Sequence, residues 1–202
     1  MKSKTTALIG IGYWGKVHLK YLKKIKNILI HSIFYKKNND IHKDKSINSF
    51  NLTNNIDQIL NDKSIKFVDI VTPIKTHADL AIRFLRKNKK VLIEKPLIMS
   101  KKEEKIIGKL IVNKKNLLVS YPYLFSKSLN YAQKLIRTNK LGKLRFVEIN
   151  IQQCGRFMKY GVNHLLAPHA ISSISMFFDI NKVKFELKKI IEKDKKCESA
   201  LI

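Results

Sequence analysis

Five short apolar runs, at residues 7–12, 28–35, 67–72, 91–94 and 117–121, alternate with stretches of helical period at 14–24, 56–61, 77–88 and 101–113. Runs this short and this continuous read as strands buried on both faces, and their alternation with helices is the pattern of a parallel sheet with crossover connections. In the third helical stretch Leu80, Ala81, Phe84 and Leu85 share one face, a stripe that turns toward a core. Residues 38–55 are polar and read as a loop holding at most a short strand. No internal repeat or flexible linker interrupts the order.

Beyond Pro122 the pattern changes. A helix is expected over 126–139 with a stop near Gly142, then one long strand over 143–153. Pro168 suits a helix start, because a first-turn proline gives up no helical hydrogen bond, and Ile171, Ile174 and Phe178 continue that helix. Residues 182–191 read as the start of a further strand before a charged tail. The expected organisation is a parallel α/β domain over 1–121 and a second domain, begun and not finished, over 122–202.

The chain of 202 residues carries 41 Lys plus Arg against 15 Asp plus Glu, a formal net charge of +26. Such a balance raises the question of a nucleic-acid partner. Lysine supplies 36 of the basic residues and arginine only 5, however, whereas base and phosphate recognition draws on arginine's planar fork. The lysines are spread along the whole chain, so a solvated surface is the expected reading and nucleic acid is not the expected partner. Cys154 and Cys197 are too few and too far apart for a disulfide framework or a zinc cluster, and no metal-ligand spacing appears. With no apolar leader and no membrane-length run, a soluble cytoplasmic protein without a membrane partner is expected.

Gly10-Ile11-Gly12-Tyr13-Trp14-Gly15 forms a G-x-G-x-x-G between the first strand and the first helix, and it holds three of the chain's seven glycines. In that context the first glycine allows a tight turn, the second lets a pyrophosphate approach the backbone, and the third lets helix and strand pack closely. The helix start then offers N–H groups and the positive end of its dipole to the phosphates. The acid expected some 20 residues later, to hold a ribose hydroxyl, is absent: the first acidic residue is Asp40, and Tyr35, Lys36 and Lys37 occupy the place. NAD or NADP is the expected cofactor, with Lys36 and Lys37 favouring the 2'-phosphate of NADP.

Two further segments fall at strand ends. Val91-Leu92-Ile93-Glu94-Lys95-Pro96 delivers a lysine to the carboxyl edge, where ligands bind in open α/β sheets, and such an amine can hold a substrate hydroxyl. Thr72-Pro73 with Thr76-His77 ends the preceding strand and either borders a nicotinamide or simply caps a helix.

The glycine loop, Thr72-Pro73-x-x-Thr76-His77 and Glu94-Lys95-Pro96, in this order and spacing, resemble the glucose-fructose oxidoreductase and inositol dehydrogenase (Gfo/Idh/MocA) family over residues 5–180. The resemblance implies a Rossmann domain followed by an α/β domain with a large, mostly antiparallel sheet. It implies oxidation or reduction of a secondary alcohol of a sugar, inositol or nucleotide sugar with NAD(P). Gly10, Gly12, Tyr13, Trp14, Gly15, Lys36, Thr72, Pro73, His77, Glu94 and Lys95 would form the cofactor site. Lys95 would also face the substrate, and His169 would act as general acid/base. The family's Asp-x-x-x-His signature is met at His169 and departs at Leu165, where the acid is missing. Tyr121 and Tyr123 could line a sugar site or belong to a core. His18 and His31 receive no role. The competing readings are a dinucleotide-binding protein without turnover and a basic nucleic-acid binder. A homo-oligomer stays possible, with less sheet than the family offers to build it.

Overall fold

A parallel sheet leaves both faces of every inner strand to be covered, and the side chains of this chain divide accordingly. The computed structural model describes residues 4–36, 45–111, 115–152, 160–184, 186, 188–193 and 196–201. It divides into two units, Met1–Ser120 and Tyr121–Ile202.

In the first unit, β1 (Lys4–Ile9), β2 (Ile28–Phe34), β3 (Asn51–Thr53), β4 (Phe67–Ile70), β5 (Lys90–Glu94) and β6 (Leu117–Ser120) form one six-stranded sheet in the order β3-β2-β1-β4-β5-β6. All the pairings are parallel. The direction of winding reverses between β1 and β4, which makes their carboxyl ends the switch point. Alternation along β1 sends Ala7 and Ile9 to one face, with Phe84 and Leu85 of α3 (His77–Arg86), Ile59 of α2 (Ile56–Asn61) and Ile107 of α4 (Lys101–Leu110). Leu8 goes to the other face, with Leu19 and Leu22 of α1 (Tyr13–Leu22) and Ile33 of β2.

The helices begin where side chains can replace missing partners. Asn55 accepts from the Asp57 N–H at the start of α2, and Ser100 with Glu103 forms a reciprocal capping box on α4. Helix α3 stops at Arg86, two residues before the expected end, where Asn88 turns into the left-handed region at φ 56°. The first strand likewise ends at Ile9 rather than at 12, because Gly10 has already turned, at φ +101°. The polar stretch after β2 does contain a short edge strand, β3. One of the 36 lysines is structural: Lys89 is 4% exposed, and its ammonium donates to the carbonyls of Asp62 and Ile65 at 2.6 and 2.8 Å. Burial lowers its pKa.

The second unit holds a 3-10 turn at Pro122–Phe125, α5 (Lys127–Arg137), α6 (Val162–Leu165), α7 (Ala167–Ile174) and an antiparallel pair, β7 (Lys188–Lys193) with β8 (Lys196–Leu201). Gln133 of α5 donates to the Met176 carbonyl past the end of α7. The strand expected over 143–153 does not form in its described part, 143–152. A strand needs a neighbour to take its N–H and C=O groups, and among the described residues none pairs with this segment; β7, read as the next strand, pairs with β8 instead. Phe146 is 75% exposed in consequence. Helix α7 ends at Ile174, so Phe178 lies beyond it, tied back by its N–H to the Ile174 carbonyl at 3.1 Å. Among the described residues no helix is long and apolar enough to cross a membrane.

Two stability predictions follow from these contacts. Replacing Lys89 by Met removes two charge-assisted bonds to carbonyls that stay buried, and chemical denaturation should show a loss of about 1.5 to 3 kcal/mol. A Cβ at Gly15 would lie 2.2 Å from the Gly10 carbonyl oxygen. Gly15→Ala should therefore cost about 1 to 3 kcal/mol through forced separation of α1 from β1.

Candidate dinucleotide and substrate site

The site starts where β1 gives way to α1. Gly10 donates its N–H to the Phe34 carbonyl at 3.0 Å, and a Cβ there would stand 2.6 Å from the Val71 carbonyl oxygen. Gly10 and Gly15 are thus required by the protein's own backbone. Gly12 is different: a Cβ built on it meets nothing within 4 Å, and its backbone, at φ −71°, suits any residue. Nothing in the fold asks for glycine at 12, and the space beside it is open. Gly12 also heads α1 without a side-chain cap, and no acid sits in the first turn. An anion is the chemical group such a helix start accepts, and a dinucleotide's pyrophosphate fits the cradle. Tyr13 and Trp14 are 64% and 56% exposed beside it, edge to face at 5.4 Å.

The ends of β4 and β5 form the neighbouring rim. Thr76 Oγ1 lies 2.7 Å from Thr72 Oγ1 and 2.8 Å from the Pro73 carbonyl, closing the loop after β4. His77 is 1% exposed, with Nε2 2.7 Å from the Thr72 carbonyl and Nδ1 2.8 Å from the Pro96 carbonyl. A main-chain carbonyl lies within hydrogen-bond distance of each ring nitrogen, so this imidazole sits between the two strand-end loops and donates to at least one of them. The Lys95–Pro96 peptide is cis. Burial lowers the Lys95 pKa, and the charge of Glu94 opposes that shift.

Beneath this rim lies a group that sequence reasoning missed. His18 of α1 donates from Nδ1 to Asp69 Oδ2 on β4 at 2.9 Å and from Nε2 to Glu94 Oε1 on β5 at 3.2 Å. Burial alone would lower its pKa, but the hydrogen bonds to both carboxylates and their fields raise it to about 9. Desolvation raises the pKa of Asp69, partly offset by His18. Desolvation also pushes Glu94 upward, but hydrogen bonds from His18 and Ser120 outweigh it and hold the carboxyl low. Two signals in the sequence pointed here. His18 lies three residues after Gly15, on the same face as buried Leu19 and Leu22, and Asp69 and Glu94 are acids inside apolar strands, where a charge needs a partner.

Gly10, Gly12, Gly15, Thr72, Pro73, His77, Glu94 and Lys95 all lie at the carboxyl edge of one sheet. Lys36 is exposed just past β2, while Lys37 lies outside the described residues. His169 stands in the second unit, in the first turn of α7 after Pro168. Its ring meets that of Tyr123 edge to face at 5.2 Å, and its carbonyl accepts from the Ser172 and Ser173 hydroxyls, each at 2.9 Å. Burial raises the Tyr121 pKa.

The family described as an oxidoreductase family with an NAD-binding Rossmann fold (GFO_IDH_MocA) matches residues 4–140. Levoglucosan dehydrogenase of Pseudarthrobacter phenanthrenivorans is 25% identical over 154 residues, covering 71% of this chain and 40% of that protein. The uncharacterized oxidoreductase YhhX of Escherichia coli is 32% identical over 97 residues, 48% of this chain and 28% of the other. The chain therefore spans less than half the length of these curated relatives. Among solved structures, scyllo-inositol dehydrogenase from Lactobacillus casei with bound NAD(H) and scyllo-inositol gives a TM-score of 0.70 at 17% identity, covering 88% of this chain and 57% of that one, a likeness that speaks for the fold. Since the matched stretch runs through the glycine turn and both strand-end loops, the chain belongs to the oxidoreductase family built on an NAD-binding Rossmann fold.

Proposed function

We propose that this chain binds NAD or NADP at the β1–α1 turn, and that the protein uses it to transfer hydride to or from a secondary alcohol of a sugar, polyol or nucleotide sugar. The observation that carries the reading is Gly12: an uncapped helix start with unfilled space, at the switch point of a parallel sheet, beside the strand end that carries Lys95. Relatives named as levoglucosan and inositol dehydrogenases support the choice of alcohol class. The dinucleotide supplies the hydride chemistry when bound. Lys95 aligns the substrate oxygen and stabilises negative charge that develops on it. His169 takes or returns the hydroxyl proton, and Lys36 favours a 2'-phosphate, hence NADP. Leu165 offers no carboxylate to orient the His169 ring, which supports binding without turnover as the second reading.

Thermal unfolding tests the first step. NADP or NAD at 100 times its dissociation constant should stabilise the protein by ~2.7 kcal/mol. Gly12→Ala should leave the melting temperature of the free protein nearly unchanged and weaken the dinucleotide at least ~10-fold, a loss of ~1.4 kcal/mol. Binding of neither dinucleotide overturns the reading. Lys36→Ala should abolish a preference for NADP over NAD in the same titration. With a panel of sugar alcohols, Lys95→Ala should lower kcat ~100-fold or more while the dinucleotide still binds; dinucleotide binding with no turnover by the wild-type chain favours the second reading.

A further inference from the structure

The tie between α1 and the end of β5 is not needed to hold the sheet together. Strands β4 and β5 are already paired from Phe67 and Lys90 to Ile70 and Ile93. A buried ionic group is also a poor source of net stability, because desolvation cancels much of its attraction. What the tie does determine is where the end of β5 points. One Glu94 oxygen, Oε1, accepts from His18, and the other, Oε2, accepts the backbone N–H of Lys95 at 3.3 Å. On the far side of Lys95, His77 holds the Pro96 carbonyl. The residue bearing the amine is flanked by two bonds to imidazoles, one rooted in α1 and one in α3.

We propose that His18 is a positioning residue for Lys95, acting through Glu94: it fastens the strand end that carries the amine to the helix that starts at the glycine turn. The inference rests on the role proposed above for Lys95. Asp69 completes the arrangement. It is 2% exposed, Oδ2 accepts from His18, and Oδ1 has no hydrogen-bond partner among the described residues. A neutral imidazole has one N–H and can satisfy only one of the two carboxylates, so the link is complete only while the ring is doubly protonated.

The groups facing that ring are Asp69 from β4 and Glu94 from β5. His18 titrates at about 9 in the folded protein, against an ordinary 6.5. Its contribution is thus fully present below the unfolded value and is lost as pH rises through the folded one.

Amide hydrogen exchange over residues 94–98, read by mass spectrometry, tests the link without a substrate. His18→Leu with Asp69→Val exchanges two of the three ionic groups for apolar side chains and leaves Glu94 without its imidazole, a change that folds tolerate unevenly. Peptides from β1 and β2 report whether this one does. Exchange at 94–98 should rise at least ~10-fold in the double variant at neutral pH. Corrected for intrinsic rates, wild-type protection at 94–98 should fall as pH passes through about 9, with no such step in the double variant. Unchanged exchange at 94–98 in the double variant, or the same pH step in it, overturns the proposal. If β1 and β2 also lose protection, the wild-type pH step decides: its absence overturns the link. A wild-type protein that binds neither dinucleotide refutes the proposed function, and the exchange pattern still decides the link.

Discussion

Helix α1 approaches β1 so closely that no Cβ fits between them: the space at Gly15 is filled by the carbonyl of Gly10. That contact sets where the helix begins, how its first turn faces the carboxyl edge of the sheet, and how deep its inward face sits. The buried stripe of Gly15, Leu19 and Leu22 follows from it, and so does the reach of His18 across to β4 and β5. The same closeness that leaves the space at Gly12 open brings an imidazole under the rim on which Lys95 stands.

The rim itself is built from main chain held by side chains. His77 bridges the carbonyls of Thr72 and Pro96, and Glu94 holds the Lys95 amide. Loops at the ends of parallel strands have no ladder of their own beyond the last paired residue, so something must replace it. Here a buried histidine and a carboxylate do so. The arrangement holds a short, polar rim above a sheet whose two faces are covered by apolar clusters, with Asp69 as a buried acid among them.

The two units differ in how far local pattern predicts them. In the first, every strand but the edge strand β3 is read from an apolar run, because a strand buried on both faces must be apolar throughout. In the second, the run at 143–152 has the composition of a strand and forms none among the described residues, since pairing depends on a neighbour elsewhere in the chain. His77 shows the same limit on a smaller scale: its spacing after Thr72-Pro73 marks the loop, but only packing shows its ring buried between the carbonyls of Thr72 and Pro96.

The order of residues by itself determined the parallel architecture, the glycine turn and the strand end bearing Lys95, because hydrophobic period, backbone freedom and local sequence context act over a few neighbours. Tertiary structure alone decided which glycine has open space beside it and which acids His18 would meet. Gly12 is told from Gly10 and Gly15 only by what lies across the gap, and Asp69 and Glu94 stand 51 and 76 residues from His18 along the chain. Contacts across such separations depend on how strands are ordered in the sheet, and no local rule contains that order.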